Sequence, residues 1–564
     1  MKDSRMRGAE IVIKTLVAEN ASYIFGYPGG AIMPVYDALY DYVDQIKHIL
    51  TRHEQGAIHA AQGYARVSGK VGVCMVTSGP GATNLITGLA DAMIDSTPLV
   101  CITGQVDSKL LGSDAFQETD VVGFTMPGTK WNIQVRDVAD IAPALAKAFH
   151  IARTGRPGPV LVDITKNAQN AFGEFNYVPC LNIRSYKPYP KVEPDSISRA
   201  AELINKAKAP MVLYGQGVII GKAEAELAKF LEKTGIPAAS TLLGTGALPE
   251  DHPQFTGKLG MHGNYAPNLL TNQADVLIGI GMRFDDRVTG DLSRYAKQAK
   301  VIHLELDPAE INKNVKCEVA VLGNCKESLQ LLTEEVKENS HPEWMDRFRE
   351  LYAEERSVVV ANDISPTKVG LTMGEVIRFI NEYKQDDAVL VTDVGQHQMV
   401  AWRYFDYKVP RTQITSGGLG TMGFALPAAL GAQLHDYNRQ VICVLGDGGI
   451  QMTVQELGTI MQTKAPVKIV LLNNNFLGMV RQWQQLFYDK RYSFTELHNP
   501  DFQLIAEAYG IKTAKISGRE SLGEAVAEMF VHDGPYFLEV VVEKEDNVFP
   551  MVASGCAVDE IRLS

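Results

Sequence analysis

The sequence predicts an α/β protein made of three doubly wound parallel-sheet domains. Short β-branched runs recur along the chain, separated by helical patterns. Glycines stand at the ends of many of these runs, giving strand–turn–helix units. The length of 564 residues exceeds what one hydrophobic core supports and calls for two to four domains.

The first block, 1–171, opens with MKDSRMRGAEIVIKTLVAEN, which moves directly into a helical pattern. This opening has neither a signal-peptide apolar core nor an Arg/Ser-rich transit segment. The runs VGVCMVT, PLVCITG and PVLVDIT then read as strands. A polar, proline-bearing stretch from about Phe172 to Pro194 reads as a linker. The middle block, 190–340, carries MVLYGQG, DVLIGIG and VIHLELD, and closes on the amphipathic SLQLLTEEVKENS. Charged helical segments from Trp344 to Arg356 lead to the third block, 366–564, whose pattern opens near Thr372. It carries AVLVTDVG, VICVLGDG, VKIVLLNNN and YFLEVVVE, and shares its strand–glycine turn–helix style with the first block.

Composition narrows the function. Hydrophobic residues make up 46% and charged residues 21%, an ordinary globular mixture. A net charge of −12 without a Lys/Arg cluster argues against nucleic-acid binding. No apolar run is long enough to span a bilayer. The seven cysteines are odd in number and contain no CxxC pair, which predicts free thiols in a reducing cytoplasm. Cys317 and Cys325 lack partners at zinc spacing.

The densest chemical signal lies in the third block. Gly446-Asp447-Gly448 ends one strand-like run, and Asn473-Asn474-Asn475 ends the next, with Asn474 27 residues after Asp447. Strands joined by a helix form a parallel unit that binds ligands at its carboxyl ends. A carboxylate and a carboxamide meeting there offer the hard oxygens that Mg²⁺ takes beside phosphates. Asp393-Val394-Gly395-Gln396-His397 follows another strand run, so backbone amides and the Gln396 and His397 side chains are candidates to cradle a diphosphate; His397 reads equally as a hydrogen-bonded structural histidine. The glycine loop Ser416–Gly423 enters the buried-looking helix FALPAALGAQL, which argues against a flexible spacer. In the first block, Ser78–Asn84 and Phe25–Ala31 are glycine-bearing turns after strands, suited to close backbone approach. Glu54, in TRHEQGA, precedes a helix of small residues. Alone it reads as a solvated helix-start glutamate; beside the Asp447/Asn474 pair it reads as a functional acid.

The motifs YPGGA, RHEQGA, SGPGATNL, DAFQET, GRPGPVLVD, GMRFDDRVTG, SGGLGTMGF, GDGGIQM, LNNNFLGMVRQW and MVASG occur in order from one end of the chain to the other. The chain resembles the catalytic (large) subunits of the acetohydroxyacid synthase (acetolactate synthase) family of thiamine-diphosphate enzymes. GDG…NN marks the thiamine-diphosphate superfamily; GMRFDDRVTG with LGMVRQW narrows the likeness to its FAD-containing biosynthetic branch. The resemblance implies a pyrimidine-binding first domain, a central FAD-type domain and a diphosphate-binding third domain. It implies decarboxylation of pyruvate and ligation of the two-carbon unit to a second pyruvate or to 2-ketobutyrate, in isoleucine and valine biosynthesis. A pyruvate-oxidase-type flavin enzyme and another 2-ketoacid carboligase or decarboxylase are the alternatives.

Residue by residue, the resemblance implies that Asp447, the Asn474 side chain and the Phe476 carbonyl ligate Mg²⁺. Glu54 activates the aminopyrimidine, as a carboxyl kept partly protonated in a cleft would. Met422 supports the bent cofactor, and Gly395, Gln396 and His397 meet its diphosphate. Tyr27, Pro28, Gly29, Asn84, Gly420, Gly446, Gly448, Gly449, Gly478 and Met479 complete the cofactor's surroundings. Gln117 lies near substrate, and Lys166, Arg287 and Trp483 line the entrance and acceptor site. Arg287 suits a 2-ketoacid carboxylate; a salt bridge to Asp285 or Asp286 competes for it. FAD falls to Arg156, Gly215, Gly217, Gly260, Met261, His262, Gly263, Gly281, Arg283, Asp285, Arg287 and Glu305. The likeness also implies a homodimer or dimer of dimers with Glu54 and Asp447 of one site on different subunits, and a small regulatory subunit. The chain departs from the family at Asn324 (usually Asp), Trp131 (usually His), Thr165 and Asn167 (usually Pro and Asp), and Asp107 (often Pro or Ala). The last is expected to alter inhibitor sensitivity more than catalysis.

Overall fold

A computed structural model describes residues 5–366 and 370–564. The expected start of the first block at residue 1 and the opening of the third from 366 run into residues outside the described ones. Among the described residues, no helix is long and apolar enough to cross a membrane, and all seven cysteines are free.

Three six-stranded parallel sheets follow one another along the chain. The first comprises β1 (Tyr23–Gly26), β2 (Lys47–Leu50), β3 (Gly72–Val76), β4 (Leu99–Gln105), β5 (Trp131–Val135) and β6 (Pro159–Thr165). The second comprises β7 (Pro210–Tyr214), β8 (Ala238–Ser240), β9 (Phe255–Lys258), β10 (Val276–Ile280), β11 (Lys300–Glu305) and β12 (Val319–Leu322). The third comprises β13 (Val389–Thr392), β14 (Gln413–Thr415), β15 (Val441–Gly446), β16 (Lys468–Asn473), β17 (Lys512–Ile516) and β18 (Tyr536–Val541). Central strands such as β3, β4, β6, β15 and β16 are buried at every position. That is why they read as unbroken apolar runs, as strands covered on both faces do.

Strand order places the ligand sites. The first sheet runs β2-β1-β3-β4-β6-β5 and the third β14-β13-β15-β16-β18-β17, the same order counted from each sheet's first strand. The order reverses between β1 and β3, and between β13 and β15. Crevices form at such reversals, beyond the carboxyl ends of the strands. The middle sheet runs β9-β8-β7-β10-β11-β12. This is the 3-2-1-4-5-6 order of dinucleotide-binding sheets, with its crevice between β7 and β10.

Six helices carry the argument: α1 (Glu54–Ser68), α2 (Gln396–Tyr404), α3 (Ala425–His435), α4 (Asp447–Thr453), α5 (Leu457–Thr463) and α6 (Gly478–Phe487). The small residues of α1 and α3 let the two helices touch backbone to backbone. A Cβ on Gly63 would lie 1.9 Å from the Ala428 carbonyl oxygen, and one on Gly431 would lie 1.8 Å from that of Ala60. This contact merges the first and third sheets into one apolar core, running from Phe25 and Cys74 through Ala57–Ala61 and Ala425–Leu430 to Val441 and Leu471.

One expectation needs correction. The predicted linker begins as structure, because Phe172–Glu174 pairs antiparallel with Arg5–Arg7. The two strands of this separate small sheet come from opposite ends of the domain, a pairing that local composition does not show.

Two predictions follow from this packing. Gly431→Ala should destabilise the protein by at least about 1–3 kcal/mol in urea unfolding, since its methyl would enter the Ala60 carbonyl. Gly128→Ala, whose nearest neighbours stand at 3.8 Å, should change stability little. Asp163, fully buried on β6, accepts hydrogen bonds from Thr103, Gln105 and Gln134, and burial pushes its carboxyl from 3.8 up to about 6. The fold therefore favours the protonated acid, and that stability, full below pH 3.8, is lost as pH rises through about 6. The always-neutral Asp163→Asn should gain on the natural protein by on the order of 3 kcal/mol between about pH 4 and pH 7. A stability difference that does not vary with pH in urea titrations would contradict this.

Candidate active site

The metal-type residues meet at the crevice of the third sheet. Asp447 opens α4 directly after β15, and Asn474 follows the end of the adjacent β16. Asp447 is buried, and desolvation pushes its carboxyl up to about 6 against hydrogen bonds from Asn499 and from backbone amides of Gly448 and Asn475. Asn474 Oδ1 accepts the Phe476 amide at 3.1 Å, which folds the strand end into a tight turn. Asn474 Nδ2 reaches Gln396 Oε1 at 3.4 Å. Sequence reasoning missed Asn499. Its Nδ2 lies 2.7 Å from Asp447 Oδ2, 3.2 Å from Asn473 Oδ1 and 3.1 Å from Asn475 Oδ1, and its Oδ1 accepts from Gln451. No pattern announces Asn499, because it reaches the site from a loop beyond α6.

A cradle faces these oxygens. Gly395 has φ 152°, and a Cβ there would sit 2.8 Å from the His397 ring; one on Gly446 would sit 2.9 Å from it. Gly449 and Gly478 close the cradle against Asp393 and Gln396 in the same way. Burial lowers the His397 pKa to about 4, so the ring is neutral, and its buried Nε2 has no partner among the described residues. An acid, an amide and a nearby carbonyl give a mixed set of hard oxygens, and an unsatisfied ring nitrogen stands beside a glycine-lined surface. That combination fits a small divalent cation with a phosphate-bearing ligand.

The glycine loop is not a spacer. Asp393 accepts the amides of Gly423 at 2.9 Å and Phe424 at 3.2 Å. Asp95, from the first domain, accepts those of Gly417 at 2.8 Å and Gly418 at 2.7 Å. Ser416 and Thr421 donate to Asp91, and Arg66 on α1 pairs with Asp95 at 3.0 Å. This buried charge cluster holds the loop that carries Gly420 and Met422. The Met422 methyl lies 3.5 Å from the Cβ position of Gly448, so the loop borders the metal-type group.

A cavity of about 1400 Å³ extends from Gly395, Gly420, Met422, Met479 and Trp483 into the middle sheet's crevice. Gly217, Gly260, Met261, His262, Gly281 and Arg283 form its far wall. Gly215 and Gly217 pack against Gly281 so closely that a Cβ on either would lie 2.6 Å from Gly281 atoms, leaving a floor of bare backbone. Glu305 faces the cavity. Its Oε1 accepts the amides of Leu306 and Asp307, and burial pushes its carboxyl up to about 7. Arg156 bridges in from the first domain, held by Glu310 at 2.8 Å and Asp307 at 3.3 Å. Arg403 donates to the carbonyls of His262 and Gly263 while paired with buried Glu355, which ties the Gly260–Gly263 turn to α2. Strand order, backbone floor and carboxylate together fit a dinucleotide.

Arg287 leans on Asp286 at 3.7 Å and touches Met261 Sδ, while Asp285 pairs with Arg283 at 3.4 Å and caps a short helix. The expected competitor is therefore present, loosely and through Asp286. Asn324, the departure near the middle crevice, caps the helix Cys325–Glu335 and lines the cavity. Asn167 accepts the Ser108 amide and so fastens the Asp107–Ser108 turn to the end of β6.

Glu54 gathers with a different set. Its half-buried carboxylate accepts Asn84 Nδ2 at 2.9 Å, at the crevice of the first sheet. Tyr27 and Pro28 lie exposed at the end of β1, Gly29 abuts Thr77, and Gln117 lies against Gly79 with φ 60°. Lys166 is exposed at the end of β6. None of Glu54, Asn84, Gln117 or Lys166 lines the large cavity. One chain thus holds two separate groups, each at the carboxyl ends of its own sheet.

Comparison with known proteins agrees with this layout. Three family models match: the thiamine pyrophosphate enzyme N-terminal TPP binding domain over 6–124, the central domain over 197–332, and the C-terminal TPP binding domain over 393–540. The chain is 45% identical to the acetolactate synthase large subunit of Corynebacterium glutamicum, covering 99% of this chain and 90% of that protein. It is 45% identical to the acetolactate synthase isozyme 2 large subunit of Escherichia coli, covering 99% of both. It is 44% identical to a probable acetolactate synthase large subunit of Methanocaldococcus jannaschii, covering 98% and 94%. With such identity along nearly its whole length, and with all three domain models matched in order, the chain belongs to the acetolactate synthase large-subunit family of thiamine pyrophosphate enzymes.

Proposed function

We propose that this chain decarboxylates pyruvate and joins the remaining two-carbon unit to a second pyruvate or to 2-ketobutyrate. The products are 2-acetolactate or 2-aceto-2-hydroxybutyrate, with one CO₂ released and no net redox change, in branched-chain amino acid biosynthesis. The observation that carries this reading is the meeting of Asp447 with the Asn474–Phe476 turn on adjacent strands, in a chain similar throughout to acetolactate synthase large subunits.

Thiamine diphosphate, when bound, supplies the electron sink for decarboxylation. The chain's own residues do the rest. Asp447, Asn474 Oδ1 and the Phe476 carbonyl would hold Mg²⁺, and Asn499 keeps the Asp447 carboxylate in place. Gly395, Gln396 and neutral His397 receive the diphosphate without adding charge. Met422, on its clamped loop, would support the bound cofactor. Glu54 holds or passes a proton at the aminopyrimidine nitrogen, steadied by Asn84. Arg287 exchanges its weak contact with Asp286 for a substrate carboxylate. Gln117 and Lys166 bound the entrance, and Trp483 with Met479 keeps the acceptor side apolar and dry. The turns at Gly215–Gly217, Gly260–Gly263 and Gly281–Asp285, with Glu305 and Arg156, would hold FAD in the middle crevice. Its role is structural. Free cysteines suit the cytoplasm.

Each complete site takes Glu54 from one copy of the chain and Asp447 with Asn474 from another. Two features support this. The two groups stand apart within one chain, and exposed apolar side chains lie on both the Phe116 and the Phe494 segments. A small regulatory subunit completes the assembly, in keeping with relatives described as large subunits.

Product analysis with pyruvate, with and without 2-ketobutyrate, tests the reaction. Acetolactate and its homologue are expected; acetaldehyde, or acetate with acceptor reduction, would replace the reading with a decarboxylase or an oxidase. Glu54→Gln should lower turnover by roughly 10²–10⁴-fold while the cofactor stays bound, and Asp447→Ala should lose Mg²⁺ and cofactor affinity. Co-expression of these two variants should restore about a quarter of the sites if each site is shared between copies. No recovery would place each site within one chain.

A further inference from the structure

The turn of α1 that carries Glu54 is gripped from the third domain. The Arg52 amide donates to Glu456 Oε1 at 3.0 Å and Oε2 at 3.3 Å. The His53 amide donates to the same carboxylate. A Cβ on Gly56 would lie 2.3 Å from Glu456 Oε1, so the glutamate side chain lies flat against the first turn of α1. The grip is mutual. The Arg52 guanidinium reaches back to the Gly458 carbonyl at 3.1 Å and to Gln462 at 2.9 Å, on α5. Thr459 donates to Glu456 Oε2 at 2.7 Å and fixes the carboxylate itself.

Glu456 is fully buried, between α4 and α5. A buried carboxylate stays there only with strong partners, and beside the Thr459 hydroxyl its partners here are the backbone amides of the two residues immediately before Glu54. A helix start leaves amides unpaired and carries partial positive charge. The local cap is incomplete: His53 Nδ1 accepts only the Gln55 amide, at 3.1 Å. Glu456, some 400 residues away in sequence, accepts the amides just before the helix and places negative charge at its start. Because these bonds hold the chain at Arg52 and His53, they set where the Glu54 Cα–Cβ bond points.

We infer that Glu456 is a positioning residue for Glu54: it holds the first turn of α1 so that the Glu54 carboxylate meets its proton partner in register. This rests on the proposed role of Glu54. Simple domain glue in the same place would, when cut, lower stability and leave the chemistry of the folded protein unchanged.

The test uses full-length Glu456→Ala, Glu456→Gln and Gly56→Ala proteins with thiamine diphosphate and Mg²⁺, and Glu54→Gln as reference. Three quantities are read: the cofactor dissociation constant by tryptophan fluorescence, turnover with pyruvate, and exchange of the bound cofactor's C2 proton with D₂O by acid-quench ¹H NMR. Glu456→Ala should slow both turnover and exchange by roughly 10- to 100-fold, the cost of about an ångström of misplacement, with the dissociation constant little changed. Glu456→Gln, which keeps one acceptor oxygen and the shape, should recover most of the loss. Gly56→Ala should reproduce the loss from the other side of the contact, although alanine is the better helix former. Natural exchange rates in both Glu456→Ala and Gly56→Ala overturn the inference. If Glu456→Ala does not fold, Gly56→Ala decides alone by the same criterion. Natural exchange in Glu54→Gln would instead remove the role of Glu54, and with it the reason for the grip.

Discussion

The contact between α1 and α3 is the constraint on which the rest of the structure depends. Gly63 faces the Ala428 carbonyl and Gly431 faces that of Ala60, at distances that leave no room for a side chain. Two helices in backbone contact have little freedom to slide or tilt, since nothing between them can change rotamer. The first and third sheets therefore share one core. The loop carrying Met422 and the turn carrying Glu54 lie on either side of this junction, and both inherit its rigidity.

Buried charges then place the parts that the junction brings near. Arg66 with Asp91 and Asp95, Arg403 with Glu355, and Glu456 are all withdrawn from water. Buried ions recover their desolvation cost only through good hydrogen bonds, and replacing them by apolar groups often costs little stability. Here many of their bonds go to main-chain groups of site loops: Gly417 and Gly418 for Asp95, His262 and Gly263 for Arg403, Arg52 and His53 for Glu456. What these charges supply is direction. Each carries the position of one domain's framework to another domain's loop.

The three sheets also divide the labour by topology. The first and third repeat one strand order and present matching crevices, one with Glu54 and Asn84, the other with Asp447 and Asn474. The middle sheet has a different order, with a crevice floored by glycine backbone and opening into the same cavity as Met422 and Trp483. Three ligand-type surfaces thus arise from one architectural rule, that crevices form where strand order reverses.

The sequence by itself determined the fold class, the most deeply buried strands and much of the local chemistry. Buried parallel strands must be apolar throughout, and turns that approach a ligand or another backbone need glycine, so both leave marks in consecutive residues. The strand ends carrying Asp447, Asn474 and His397 were legible for that reason, and the Gly215 and Gly281 turns through the family resemblance. The tertiary structure alone decided which distant groups serve them. Asn499 beside Asp447, Asp95 beneath the glycine loop, Glu355 behind the Gly260–Gly263 turn and Glu456 against Gly56 carry no local signature. Each is a common polar residue whose meaning comes from a neighbour tens to hundreds of positions away. The separate hydrogen-bond partners of Glu54 and Asp447 likewise depend on the way the sheets pack, because helix and strand periodicity report which face is buried and say nothing about which crevice faces which.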